Sequence, residues 1–117
     1  YVMAGGNDQV MLCERGVRSF EQFTRFTMDV AAIPVIQRLS HLPIVADPSH
    51  STGKWYLVTP VALAAVAAGA HGLLIEVHPN PDIAKCDGPQ SLTFANFSAL
   101  MEQVHAVAGV RKVPAQV

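Results

Sequence analysis

Leu42-Pro43-Ile44-Val45-Ala46-Asp47-Pro48-Ser49-His50 runs from an apolar stretch straight into an acid, a proline, a hydroxyl and an imidazole. A short continuous apolar run marks a strand buried on both faces, and such strands belong to parallel sheets covered by helices. The polar residues stand where the strand stops and no helix has begun. Two further segments repeat the pattern. Val10-Met11-Leu12-Cys13-Glu14 leads into Arg15-Gly16, and Gly72-Leu73-Leu74-Ile75-Glu76-Val77 leads into His78-Pro79.

Helical patterns lie between and after these strands. Val30, Ile33, Val35, Ile36 and Leu39 predict a helix from Val30 to Leu39, with Pro34 near its first turn. Val58 to Ala68 is Ala-rich, with Pro60 at its first turn and Gly69 as its stop. Phe94, Phe97, Leu100, Met101, Val104 and Val107 share one side of a helix from Phe94 to Ala108, followed by Gly109. Phe20 to Thr27 reads as a loop or a short first helix. The order βαβαβα predicts an α/β fold with a parallel sheet. Ligands of such folds sit at the C-terminal strand ends, where all three polar clusters fall.

Composition limits the function. The chain has 117 residues, 50% of them hydrophobic and 15% charged, which excludes a disordered chain and fits one domain at most. A formal net charge of −1 argues against nucleic acid or an anionic membrane as partner. The longest apolar candidate, Val61 to Ala70, is well short of the ~20 residues of a membrane span. No basic start followed by an apolar stretch marks a secretory signal. Two cysteines are too few for a disulfide framework, so a reduced, cytoplasmic setting is expected. The chain begins Tyr1-Val2-Met3, without an initiator Met, which leads us to expect a processed or partial chain.

His50, Glu76 and Asp87 are an imidazole and two carboxylates at two strand ends and in the loop that follows. Adjacent strands lie about 5 Å apart, so such groups can converge on one ion. Their chemistry suits a borderline divalent metal: Mn, Fe, Co or Zn. The alternative is a hydrogen-bonded loop histidine and a turn aspartate before Gly88-Pro89. Arg15 can grip a phosphate or carboxylate through two N–H groups, or form a structural ion pair with Glu14 or Asp47. Ser51-Thr52-Gly53-Lys54 lacks the glycine spacing of a phosphate-binding loop. Cys13 reads as a small buried hydrophobe and Cys86 as an exposed loop residue. His41, His71 and His105 have no visible partner, whereas His78 follows Glu76 closely enough to join its site.

Five segments together resemble a known family. They are Leu12-Cys13-Glu14-Arg15-Gly16, Thr24-Arg25-Phe26-Thr27-Met28-Asp29, Asp47-Pro48-Ser49-His50-Ser51-Thr52-Gly53, Ile75-Glu76-Val77-His78-Pro79 and Asp87-Gly88-Pro89-Gln90-Ser91. In this order they resemble the later half of class I 3-deoxy-D-arabino-heptulosonate 7-phosphate (DAHP) synthases, in the subgroup related to 3-deoxy-D-manno-octulosonate 8-phosphate synthases. The resemblance runs from about Ala4 to Val107. It implies a (β/α)8 barrel, with residues 1–109 as the last three βα units and residues 110–117 as a tail.

The implied reaction condenses phosphoenolpyruvate with erythrose 4-phosphate and releases phosphate, the first step of the shikimate pathway to chorismate and the aromatic amino acids. The family's divalent metal is held by Cys, His, Glu and Asp, and His50, Glu76 and Asp87 match the last three. Arg15 matches the arginine that binds the phosphate of phosphoenolpyruvate. Glu14, Asp47, Ser49 and His78 are the implied residues around substrate and ligands. The cysteine ligand and the Lys-Pro-Arg-Thr segment belong to the N-terminal barrel half, which this chain lacks and needs as a partner. A homo-oligomer is implied.

The sister synthase, acting on arabinose 5-phosphate, is the alternative. Val17-Arg18-Ser19-Phe20-Glu21 and Gln90 stand where it typically has Phe-Gly-Tyr and an Asn. A non-catalytic piece of such a synthase is the other alternative. A receiver-like domain would need five strands and an acidic pair near the N-terminus; three strands are predicted, and the first ten residues hold only Asp8.

Overall fold

The computed structural model describes residues 1–111. Strands β1 (Leu12–Glu14), β2 (Ile44–Ala46) and β3 (Gly72–Leu73) form one parallel sheet in the order β1-β2-β3. Leu12 pairs with Ile44, Cys13 with Val45, and Val45 in turn with Gly72. Parallel neighbours need crossovers. These are α1 (Ala32–Leu39) and α3 (Trp55–Ala68), while α2 (Pro48–Thr52) follows β2 directly and α4 (Phe94–Val110) comes last. Short 3-10 turns occupy Met3–Gly5, Pro81–Ile83 and Gly88–Gln90. The α/β expectation is met.

The strands are shorter than the apolar runs that predict them. β3 stops at Leu73; the Leu74 N–H still donates to the Ala46 carbonyl of β2 at 2.8 Å, and further on the chain is held by Leu92. The Leu92 N–H donates to the Glu76 carbonyl at 2.9 Å, and the His78 N–H donates to the Leu92 carbonyl at 2.9 Å. Leu92 is itself buried between α3 and α4, with Val58, Ala62 and Leu100.

Pleating turns Ile44 and Ala46 toward the helices, where they are buried with Ile33, Ala65 and Ala70. Val45 lies on the opposite face with Cys13, its register partner, and Cys13 is exposed. Helices therefore cover one face of the sheet, and the other is open among the described residues. This corrects the expectation of strands buried on both faces, and with it that of a buried Cys13.

Several boundaries move. α3 begins at Trp55, so Pro60 lies inside the helix and not in its first turn. Without an N–H, Pro60 cannot make the i→i−4 bond to the Tyr56 carbonyl, and Tyr56 itself is exposed. Gly69 does end α3, in the left-handed region at φ 113°, its N–H donating to the carbonyls of Ala65 and Val66. α4 starts on Thr93, whose hydroxyl accepts from the Asn96 N–H at 3.2 Å. It runs through Gly109 to Val110, so Gly109 does not stop it. Residues 112–117 of the expected tail lie outside the described residues. Phe94, expected on the packed stripe, is exposed. Phe20 to Thr27 forms no helix; the loop is pinned by Val17 and Thr27, whose N–H and carbonyl groups bond reciprocally at 2.8 and 2.9 Å.

Candidate metal and phosphate site

Asp47 ends β2 and caps α2. Proline at the next position cannot donate and pre-sets the helical φ, so this acid–proline step opens a helix at once. One Asp47 oxygen, Oδ1, accepts the His50 N–H at 2.9 Å, and Oδ2 lies 2.7 Å from His50 Nδ1. Asp47 is fully buried, so its carboxylate holds the imidazole without competition from water. The other ring nitrogen, Nε2, faces outward. It lies 3.7 Å from Glu76 Oε1 and 3.7 Å from Asp87 Oδ2.

Ligand atoms of His50, Glu76 and Asp87 all fall within 4.8 Å of one another. Buried Ser49 fixes the second of these residues, its Oγ accepting the Glu76 N–H at 3.0 Å. The imidazole and two carboxylates singled out in the sequence are thus brought to one point, although Glu76 lies past the end of β3. His78 is not in this group. Its Nδ1 accepts the Asn80 N–H at 3.0 Å.

Arg15 extends from the end of β1 toward the same place, its Nε 3.9 Å from Asp47 Oδ2. The pairing with Asp47 weighed as an alternative is present only at this long distance, and the arginine is about half exposed. Glu14 turns back to the backbone: its Oε1 accepts the Gly16 N–H at 2.8 Å and the Asp29 N–H at 3.3 Å. Gly16 has φ +95°, and an added Cβ would come 2.7 Å from Phe26 Cβ. The chain therefore needs glycine here to bring Arg15 and Phe26 together.

Three residues near the site carry weight that sequence reasoning missed. Arg18 and Arg25 join Arg15 around the Phe26 ring, with guanidinium carbons 6.0, 5.4 and 5.5 Å from its centroid. Each lies within cation–π range. The signal was visible: three of the chain's eight basic residues fall in this one loop. Gln90 is the third, and its bond to Asp87 has no local signature.

Other candidates settle into structural places. Hydroxyls of Ser51 and Thr52 donate to the Pro48 carbonyl at 3.2 and 2.8 Å, inside α2. The Nδ1 of His71 accepts the Ile44 N–H at 3.1 Å. Partial desolvation, and then the Asp47 and Glu14 carboxylates, push the Cys13 thiol above its ordinary range, which disfavours a ready thiolate. Cys86 is exposed, as expected.

The family model of the DAHP synthetase I family matches residues 1–110. The chain belongs to the DAHP synthetase I family. It is 50% identical over 108 residues to the phospho-2-dehydro-3-deoxyheptonate aldolase of Thermotoga maritima, covering 92% of this chain and 32% of that protein. The crystal structure of the Thermotoga DAHP synthase superposes with a TM-score of 0.90 at 49% identity, over 92% of this chain and 32% of that one. The 2-dehydro-3-deoxyphosphooctonate aldolase of Cronobacter sakazakii is more distant, 36% identical over 115 residues, covering 88% of this chain and 40% of that protein. The chain thus spans about a third of the length of the Thermotoga relative. Its three βα units are part of a (β/α)8 barrel. No helix among the described residues is long and apolar enough to cross a membrane.

Proposed function

We propose that this chain supplies three metal ligands and one phosphate-binding arginine to a DAHP synthase, which condenses phosphoenolpyruvate with erythrose 4-phosphate. The observation that carries this is His50, with Nδ1 on a buried carboxylate and Nε2 3.7 Å from oxygens of both Glu76 and Asp87. Metal-binding imidazoles are held in this way, through the second ring nitrogen. One nitrogen and two carboxylate oxygens fit Mn, Fe, Co or Zn, so the donor set agrees with the family's divalent ion.

A bound ion would supply Lewis acidity, polarising a carbonyl or orienting water. His50, Glu76 and Asp87 would hold it. Asp47 keeps the His50 proton on Nδ1 and so leaves the lone pair on Nε2. Ser49 and Leu92 fix the backbone of Glu76 from two sides. Arg15, set against the Phe26 ring, would grip the phosphate of phosphoenolpyruvate while negative charge moves away from the reacting carbons, so it acts by position and charge. Glu14 would shape the turn that presents it. His78 would stand at the rim of the site as a substrate contact. The remaining ligand and the rest of the phosphate sites would come from an N-terminal barrel half. The reading also carries a cytoplasmic location and a homo-oligomer.

The test is phosphate release by the full-length protein containing these residues, with Mn²⁺ and phosphoenolpyruvate, and either erythrose 4-phosphate or arabinose 5-phosphate. Turnover with erythrose 4-phosphate, lost on chelation, is expected. Turnover with arabinose 5-phosphate alone would transfer the assignment to the sister synthase, and none with either would leave a non-catalytic piece.

A further inference from the structure

Asp87 stands in a loop with its backbone in the left-handed region, at φ 55°, a place few residues with a Cβ occupy. Two side chains converge on one of its oxygens. Gln90 Nε2 donates to Oδ1 at 3.0 Å, and Arg25 Nη1 lies 3.7 Å from the same atom. Oδ2 is left facing His50 Nε2. Gln90 is only 3% exposed, so packing and not solvent sets its amide. The Asp87 carbonyl is held too, by the Ser91 hydroxyl at 2.9 Å and the Gln90 N–H at 3.3 Å.

Arg25 is anchored at its other end on the helix that carries His50. Its N–H donates to the Thr52 carbonyl at 3.1 Å, and the Phe26 N–H donates to the Ser51 carbonyl at 2.7 Å. Gly53, the left-handed end of α2, lies so close that an added Cβ would come 2.9 Å from Arg25 Cβ. Arg25 therefore spans from the helix of one metal-site residue to the loop of another.

We propose that Gln90 and Arg25 are positioning residues that clamp Oδ1 of Asp87 so that Oδ2 is presented to the metal. This rests on the metal site proposed above. A carboxylate on a flexible side chain can turn either oxygen, or both, toward an ion. A donor fixed on one oxygen selects the other, and a cation beside it offsets the crowding of two carboxylates. Neither residue touches the ion; both act through Asp87. Loss of such outer partners lowers metal affinity by about 10- to 100-fold.

The experiment titrates Co²⁺ into the full-length protein containing this chain and follows its visible absorption. It compares wild type, Gln90→Ala, Gln90→Asn, Arg25→Ala, Arg25→Lys and His50→Ala, with thermal unfolding measured for each. We expect His50→Ala to abolish the cobalt spectrum. Gln90→Ala and Arg25→Ala should weaken Co²⁺ binding about 10- to 100-fold and alter the band positions. Arg25→Lys should recover part of the loss. Gln90→Asn, shorter by one methylene, carries the test if Gln90→Ala does not fold. Unchanged affinity and spectrum in the Gln90 and Arg25 variants, against a His50→Ala that has lost both, would overturn this inference alone. Equal Co²⁺ binding by wild type and His50→Ala would overturn the metal site and the clamp together.

Discussion

Asp47 Oδ2 sits 2.7 Å from His50 Nδ1, while Oδ1 of the same carboxylate accepts the His50 backbone N–H at 2.9 Å. One buried acid therefore starts a helix and chooses the histidine tautomer. The two effects separate by substitution. Asp47→Asn keeps an oxygen for the cap, but an amide N–H facing Nδ1 would drive the ring proton to Nε2. Metal affinity should fall by about 10- to 100-fold with little change in thermal stability. Asp47→Ala should also lose about 1 kcal/mol of stability. Metal content and unfolding temperature check both, and an Asp47→Asn protein with wild-type affinity would remove the orienting role.

His50→Ala and Glu76→Ala in the full-length enzyme should abolish synthase activity, and metal content should fall with it. Their ligand atoms face each other across 3.7 Å, so either deletion opens the donor set. Elemental analysis beside the phosphate-release assay decides. Full activity with full occupancy in His50→Ala would refute the assignment.

Arg15→Lys should raise the KM for phosphoenolpyruvate more than the KM for erythrose 4-phosphate. Lysine keeps the charge but loses the planar fork and its seat on the Phe26 ring, 5.5 Å away. Steady-state kinetics with each substrate varied in turn is the measurement. Equal shifts, or none, count against the phosphate role.

Gly16→Ala should destabilise the protein by about 1–3 kcal/mol, the cost of a strained backbone at a positive φ. The new methyl would also press on Phe26, 2.7 Å away, and so displace the ring that the three arginines share. We expect a lower denaturation midpoint together with a raised KM for phosphoenolpyruvate. A fall in stability with unchanged KM would show that the arginine cluster does not depend on this turn.

Residues 1–117 expressed alone should associate and show no turnover. β1 and β3 are unpaired edges of the sheet among the described residues, and Phe20, Phe23, Leu39 and Ile83 are each more than 70% exposed. Light scattering, thermal unfolding and the synthase assay with Mn²⁺ test this. A monodisperse monomer with a sharp transition would refute the folding half of the expectation, and turnover the other half.

The alternation of apolar runs and helical stripes was enough to read the βαβαβα order, because hydrophobic periodicity is local. The step from strand to polar cluster was equally legible at Asp47-Pro48-Ser49-His50 and Ile75-Glu76-Val77-His78. Boundaries were less so. Pro60 and Gly109 signal a helix start and a helix stop by their backbone preferences, yet both lie inside helices. At Pro60 packing of Val58 and Ala62 into the core outweighs one lost hydrogen bond. Gly109 is not among the glycines at positive φ, so it makes no left-handed turn that would end α4.

Sequence alone determined which side chains could meet at the strand ends, since in a parallel sheet every strand delivers its C-terminal residues to one edge. Tertiary structure decided how they meet. His50 shows Nε2 because the buried Asp47 carboxylate takes Nδ1, and which oxygen of Asp87 is free depends on Gln90 and on an arginine from a distant loop. Burial was decided at the same level. Cys13 has the neighbours of a core residue along the chain, but its pleat turns it to the face of the sheet that no helix among the described residues covers. The physical reason is common to these cases. An apolar pattern reports how much water a residue avoids, whereas side-chain orientation and cover are set by partners far away in sequence.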